Sequence, residues 1–209
     1  MEKEIEKINA LVIVSHPDDE TIWMGGTILN HPDWNWTIIS LCRKNDTDRA
    51  PKFQRVCKAL NHYSTPIISD LDDENLQPLS IVEVKRKILY LTPKKIYDVI
   101  YTHGKNGEYG HIRHKETHDA VVQLVDEKYI DCGELKFFSY IKSTLRPPVN
   151  PELYIHVANP IANEYIKISS EIFKRKQSLV KDMYGFDERG FEVMCSGQSE
   201  AFDIHNYKK

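Results

Sequence analysis

The sequence predicts an α/β protein, a Rossmann-like three-layer sandwich with a mostly parallel sheet. Two observations carry this. Short apolar runs that read as buried strands alternate with segments of helical spacing, the pattern of a parallel sheet covered on both faces. Two of those runs stop abruptly at polar segments, and in such folds function gathers beyond the carboxyl ends of the strands.

The elements follow in order. Ala10–Val14 is a β-branched run that stops at Ser15-His16-Pro17-Asp18-Asp19. A short helix is expected from that loop through Leu29, with Gly25-Gly26 allowing close packing or a break. Trp36–Cys42 is a second strand, and Pro51–Asn61 a helix with Phe53, Val56, Cys57 and Leu60 on one stripe. Pro66–Ser69 is a weaker strand. Ser80–Leu91 reads as a helix, with a cap at Ser80 and a break at Pro93. Tyr97–Tyr101 is a buried strand ending at Thr102-His103-Gly104. Arg113–Val125 is a helix that turns Ala120, Val121, Leu124 and Val125 inward. Leu135–Tyr140 and Leu153–Val157 are late strands, and Glu164–Tyr184 is expected as one long amphipathic helix before a polar tail. No repeat, low-complexity stretch or linker divides the chain, so one domain is expected over residues 1–209.

Composition narrows the class. Hydrophobic residues are 41% and charged residues 28% of 209, which is globular rather than disordered. The net charge of -3 is scattered in both signs and gives no general attraction to nucleic acid or to an anionic membrane. Four separated cysteines form no CxxC pair, which argues against a cysteine-bound structural zinc site and a disulfide framework. The apolar run before Ser15 is too short for a leader or a membrane span, and a cytoplasmic protein is expected. Trp34 and Trp36 share one face at strand spacing and read as core. No GxGxxG follows the first strand and no G-x-S-x-G is present, so neither a dinucleotide site nor a serine nucleophile is expected.

Two motifs carry chemistry. In His16-Pro17-Asp18-Asp19-Glu20 a bend set by Pro17 brings side chains i and i+3 to one side, so a His and an Asp can turn toward one metal ion. Adjacent carboxylates divide their roles: one can bind the ion while its neighbour points past it toward water as a general base. Taken alone, the motif is equally an acidic helix N-terminus with Pro17 in the first turn. The second segment breaks the tie. His103-Gly104-Lys105-Asn106-Gly107-Glu108-Tyr109-Gly110-His111 leads into Ile112-Arg113-His114, and His111 and His114 fall on one side of the first helical turn. Four of the nine histidines thus gather in two strand-end loops. Two His with one Asp leave an open position for water on zinc, and the same set suits Fe(II).

Ser-His-Pro-Asp-Asp-Glu at 15–20, followed by His103-Gly104, Gly107-Glu108-Tyr109-Gly110-His111 and His114, resembles the LmbE-like or PIG-L family of zinc-dependent N-deacetylases. The resemblance covers Ala10 through His118 well and the carboxyl-terminal third loosely. It implies a zinc triad of His16, Asp19 and His114, with Asp18 as general base. It implies His111 as the donor that stabilises the oxyanion, Tyr109 as a second polarising group, and Arg49 and His103 among the substrate-binding residues. Relatives often carry Arg-x-x-Glu where this chain has Arg49 and Lys52, so those substrate contacts depart from the pattern. The implied activity removes an N-acetyl group from an N-acetylglucosamine-type sugar or conjugate. An amidase acting on a larger amino-sugar conjugate and a non-catalytic zinc-dependent carbohydrate-binding module are the alternatives. The expected partner is a small-molecule amino sugar, without nucleic acid or membrane span; a homo-oligomer is compatible with the chain. His111 is expected to act as a cation, and the acid that protonates the amine is open between His111 and a proton returned by Asp18.

Overall fold

The computed structural model describes residues 7–205. The charged start of the chain, part of the reading of its amino terminus, lies at residues 1–6, outside them.

Strand β1 (Asn9–Val14) shows why the sheet is covered twice. Every residue after Asn9 is apolar and none is exposed. Ala10, Val12 and Val14 pack into one layer and Leu11 and Ile13 into the other, as the two-residue period of a strand demands. Helices α1 (Asp19–Asn30) and α2 (Arg49–Leu60) cover the first face through Ile22, Ile28, Phe53 and Val56. Helices α3 (Ile81–Leu91) and α5 (Ile112–Asp126) cover the second through Val84, Ile88, Val121 and Leu124. Strands β2 (Asn35–Cys42), β3 (Thr65–Leu71), β4 (Ile96–Thr102) and β5 (Asp131–Phe138) run parallel to β1 in the order β3-β2-β1-β4-β5. The order reverses at β1, which pairs with β2 on one side and β4 on the other. A crevice therefore opens beyond the carboxyl ends of β1 and β4, with the short α4 (Gly107–Gly110) at its edge.

The carboxyl-terminal third differs from the expectation. Residues 131–138 form one strand, but the chain bends at Ser139 and Tyr140–Lys142 becomes β6, paired with β7 (His156–Ala158) in a separate two-stranded sheet. The strand expected at Leu153–Val157 begins only at His156. The helix expected over Glu164–Tyr184 is broken into three pieces. Glu164–Lys167 is strand β8, and Ser169 then caps α6 (Ser170–Ser178) by accepting from the Ile172 N–H at 3.2 Å. A π-helical turn follows at Leu179–Met183, and α7 (Phe191–Cys195) comes next. The expected polar tail contains β9 (Ser199–Ile204), antiparallel to both β5 and β8, so the seven-stranded sheet ends β5-β9-β8. Pairing with β9 satisfies the β8 backbone, and that long-range contact overrides the local helical spacing.

One buried contact explains both β9 and the break in α1. Met24 leaves helical geometry at φ -147° and ψ 15°. Glu200, on β9, accepts from the Gly26 N–H, the Thr27 N–H and the Thr27 hydroxyl, each at 2.7 Å. A carboxylate thus takes the place an anion occupies at a helix N-terminus. Lys176 donates to the same carboxylate at 2.7 Å, and both side chains are fully buried. Glycine at position 26 leaves room for Ile168, whose Cδ1 would stand 2.7 Å from an added Cβ.

Candidate metal centre and cleft

The two motifs meet because their strands are neighbours. The Ser15 N–H donates to His103 Nε2 at 2.9 Å, and the Thr102 hydroxyl donates to the Ile13 carbonyl at 2.8 Å, tying the end of β1 to the end of β4. Across this seam His16 Nδ1 stands 3.1 Å from His114 Nε2. Asp19 Oδ2 is 3.2 Å from the first and 3.3 Å from the second. Metal–donor bonds of roughly 2.0–2.1 Å at tetrahedral angles place donors about 3.3–3.4 Å apart, so the three atoms match one face of a zinc tetrahedron.

The remaining ring nitrogens settle the tautomers. His16 Nε2 donates to Asp73 Oδ1 at 3.0 Å, and His114 Nδ1 donates to Glu108 Oε2 at 2.5 Å. Each imidazole therefore turns a bare lone pair toward the centre, as carboxylate–histidine–metal arrangements require. The electrostatics ask for a cation. Burial alone would depress the His114 imidazole, but Asp19 and Glu108 outweigh it and push it up to about 10. A bound divalent ion supplies the positive charge that a proton otherwise provides. The residues fit the implied metal. About one divalent ion per chain is expected by elemental analysis, with His114→Ala losing it. Glu108→Gln and Asp73→Asn should bind the metal roughly 10–100-fold more weakly; a titration showing wild-type affinity in both would remove their supporting role.

Asp73 and Glu108 were missed by the sequence reading. Glu108 lies inside the second motif and organises it: Oε2 accepts from His103 Nδ1 at 2.8 Å, and Oε1 from the Gly104 N–H at 2.7 Å. Burial opposes its charge, but His103 and His114 hold its carboxyl down to about 2. Asp73 follows β3 in an acidic run, Asp72-Asp73-Glu74, whose position at a third strand end was the available signal.

Above the centre is a cleft of about 280 Å³. It is lined by His16, Asp18, Asp19 and His111, by Arg43, Asp46 and Arg49, and by Ile22, Tyr109, Leu153 and Phe191. Leu153 and Phe191 come from the part of the chain that the motifs do not reach. Arg49 Nη1 donates to Asp18 Oδ2, and its guanidinium lies 4.4 Å from the centre of the Phe186 ring. Lys52 does not line the cleft; it pairs with Asp48 at 2.7 Å. His103 departs from its expected place. It is fully buried beneath the cluster, with both ring nitrogens engaged by Ser15 and Glu108, and does not line the cleft. From there its ring stacks on His114 at 3.8 Å and backs the candidate metal donors.

His111 also differs from expectation. Its Nδ1 accepts from the Arg113 N–H at 3.3 Å and so caps α5. The proton of the neutral ring is then on Nε2, and a nitrogen of this ring lies within 4.8 Å of nitrogens on His16 and His114. Burial, followed by the His16 and His114 charges, lowers its pKa to about 4. Both the Arg113 hydrogen bond and burial favour the neutral ring over the expected cation.

Strand order and site define an α/β protein with a histidine–carboxylate cluster able to hold a metal ion at the topological switch point of its sheet. The model of the PIG-L family, described as GlcNAc-PI de-N-acetylase, matches residues 11–125, more than half of the chain. The chain belongs to this family. A protein of Acanthamoeba polyphaga mimivirus described as uncharacterized protein L374 is 23% identical over 211 residues, spanning 93% of this chain and 83% of the viral one. Among solved structures, N,N'-diacetylchitobiose deacetylase from Pyrococcus horikoshii superposes with a TM-score of 0.69 at 16% identity, covering 96% of this chain and 84% of its own. GalB, the 4-carboxy-2-hydroxymuconate hydratase of Pseudomonas putida, superposes at 0.62 with 11% identity over 98% of each chain. At such identities the likeness is one of fold, and the fold carries more than one reaction. Among the described residues, no helix is long and apolar enough to cross a membrane.

Proposed function

We propose that this chain is a zinc-dependent hydrolase that removes the acetyl group from an N-acetylglucosamine-type sugar or sugar conjugate. One observation carries the reading: a donor triangle of His16, Asp19 and His114, with a second carboxylate, Asp18, beside it in the same cleft. Family membership supports the amide as the bond cleaved. A cleft of about 280 Å³ sits near the lower end of ligand pockets, roughly 300–1,000 Å³, which suits the reacting group and one sugar ring with any further conjugate outside.

A bound divalent ion supplies Lewis acidity for the amide carbonyl and acidifies water. Asp18 takes the proton of the attacking water. Burial and the neighbouring Asp19 raise its carboxyl well above the usual carboxylate range, against the opposing Arg49 guanidinium. A carboxylate raised in this way is a stronger base than an ordinary one, which suits a group that takes a proton and then returns it. The His111 Nε2–H holds the carbonyl oxygen as negative charge develops, with Tyr109, its ring 5.7 Å away, as a second donor. A neutral His111 is a poor acid, so the proton that Asp18 has taken goes to the departing amine.

Acetate release from a panel of N-acetylated sugars, with and without a chelator, tests the reading. Chelator-sensitive release supports it. Release only of longer acyl groups would favour the larger-conjugate amidase, and metal-dependent sugar binding without any release would favour the binding module. Within this mechanism, His111→Ala should keep its metal and KM while kcat falls by roughly 10²–10³. An unchanged kcat with a raised KM would reduce His111 to a binding residue.

A further inference from the structure

Asp18 sits at φ 134° and ψ -30°, a backbone conformation that a non-glycine residue keeps only when its surroundings impose it. Buried groups impose it here. The Asp18 N–H donates to Glu20 Oε2 at 3.1 Å. Glu20 Oε1 accepts from the Thr21 hydroxyl at 2.6 Å and from the Tyr184 hydroxyl at 2.7 Å. Glu20 is fully buried and Tyr184 is 2% exposed; neither lines the cleft. Glu20, the third acid of the first motif, is therefore turned away from the metal donors and into the protein.

Tyr184 reaches Glu20 from the far end of the chain. It follows the π-helical turn at Leu179–Met183, an irregularity frequent at functional sites. Gly185, at φ 85°, then redirects the chain so that Phe186 meets the Arg49 guanidinium that holds the Asp18 carboxylate. Both ends of Asp18, its amide and its carboxylate, are thus braced by residues 184–186, beyond the stretch that the family model matches.

We propose that Glu20 and Tyr184 are positioning residues for Asp18: the Tyr184–Glu20–Asp18 hydrogen-bond chain holds the strained backbone that aims the Asp18 carboxylate into the cleft. The proposal rests on Asp18 being the base of the hydrolase. Neither residue contacts the metal donors, so the expected signature is a change in kcat rather than in metal binding.

The test compares E20A, E20Q and Y184F in metal-loaded protein. E20A should lose on the order of 10²-fold in kcat, the scale of a reacting group displaced by about 1 Å, with KM and metal content unchanged. Y184F should show a smaller loss of the same kind. E20Q should recover most of the activity, because its amide oxygen still accepts the Asp18 N–H and its amino group can donate to the Tyr184 oxygen. Wild-type kcat in both E20A and Y184F, loss of metal in E20A, or an E20Q as impaired as E20A would each overturn the proposal. If E20A does not fold, Y184F decides by the same readouts. Should the wild-type protein release no acetate from any sugar, the functional reading fails and crystal structures of the variants still decide this one. Asp18 leaving φ near 134° in either variant supports the brace, and an unmoved Asp18 in both removes it.

Discussion

Asp18→Asn should keep about one divalent ion per chain and lose roughly 10²–10⁴ in kcat, the usual range for removing a general base. The amide preserves the shape of the side chain, and its oxygen can still accept the Arg49 Nη1 bond that the carboxylate makes. What it lacks is basicity. Asp19, by contrast, uses Oδ2 at the donor triangle and accepts from Trp23 Nε1 on Oδ1 at 3.0 Å, so both of its oxygens are already engaged. The two neighbouring carboxylates are thus separated by what each already holds. Elemental analysis beside acetate release makes the check. An active Asp18→Asn would move the base elsewhere, and a metal-free one would mean that Asp18 shares the ion with Asp19.

Glu200→Ala should destabilise the fold by about 3–5 kcal/mol, the range for removing one partner of a buried ion pair. The loss has two sources. Lys176 would be left charged without its carboxylate, and the Gly26 and Thr27 N–H groups at the α1 break would lose their acceptor. For a chain of this length each kcal/mol moves Tm by roughly 2–4 °C, so a fall of about 10 °C is expected in thermal unfolding at fixed metal content. The double variant Lys176→Met with Glu200→Gln should be less damaged than Glu200→Ala, since no unpaired charge remains buried. A Glu200→Ala protein that melts with the wild type would mean that water replaces the carboxylate at the break.

The Asp18 and Glu200 cases divide what was legible from what was not. His16, Asp18, Asp19, His111 and His114 stand out because their residue types are unusual together and follow strand ends, where backbone geometry alone turns side chains into a crevice. Glu108 lies in the same motif, but nothing in its spacing tells a ligand's partner from a loop acid. His103 carries the same ambiguity: a histidine in a glycine-rich loop reads as a contact residue until burial places it beneath the site. His111 reads as a cation from its place in the motif, while the Arg113 N–H at the helix start and burial favour its neutral form.

By itself the sequence determined the parallel strands β1, β2 and β4 and the helices between them, and it singled out the candidate metal donors, since apolar runs and helical stripes are local signals that pairing only reinforces. The tertiary structure alone decided the rest. It chose strands over helix at Glu164–Lys167 and Ser199–Ile204, buried Glu200 against Lys176, and brought Tyr184 to Glu20. Those outcomes depend on partners 24 to 164 residues away, and a buried polar group takes its position from whichever partner satisfies it in the folded chain, which residue order does not encode locally.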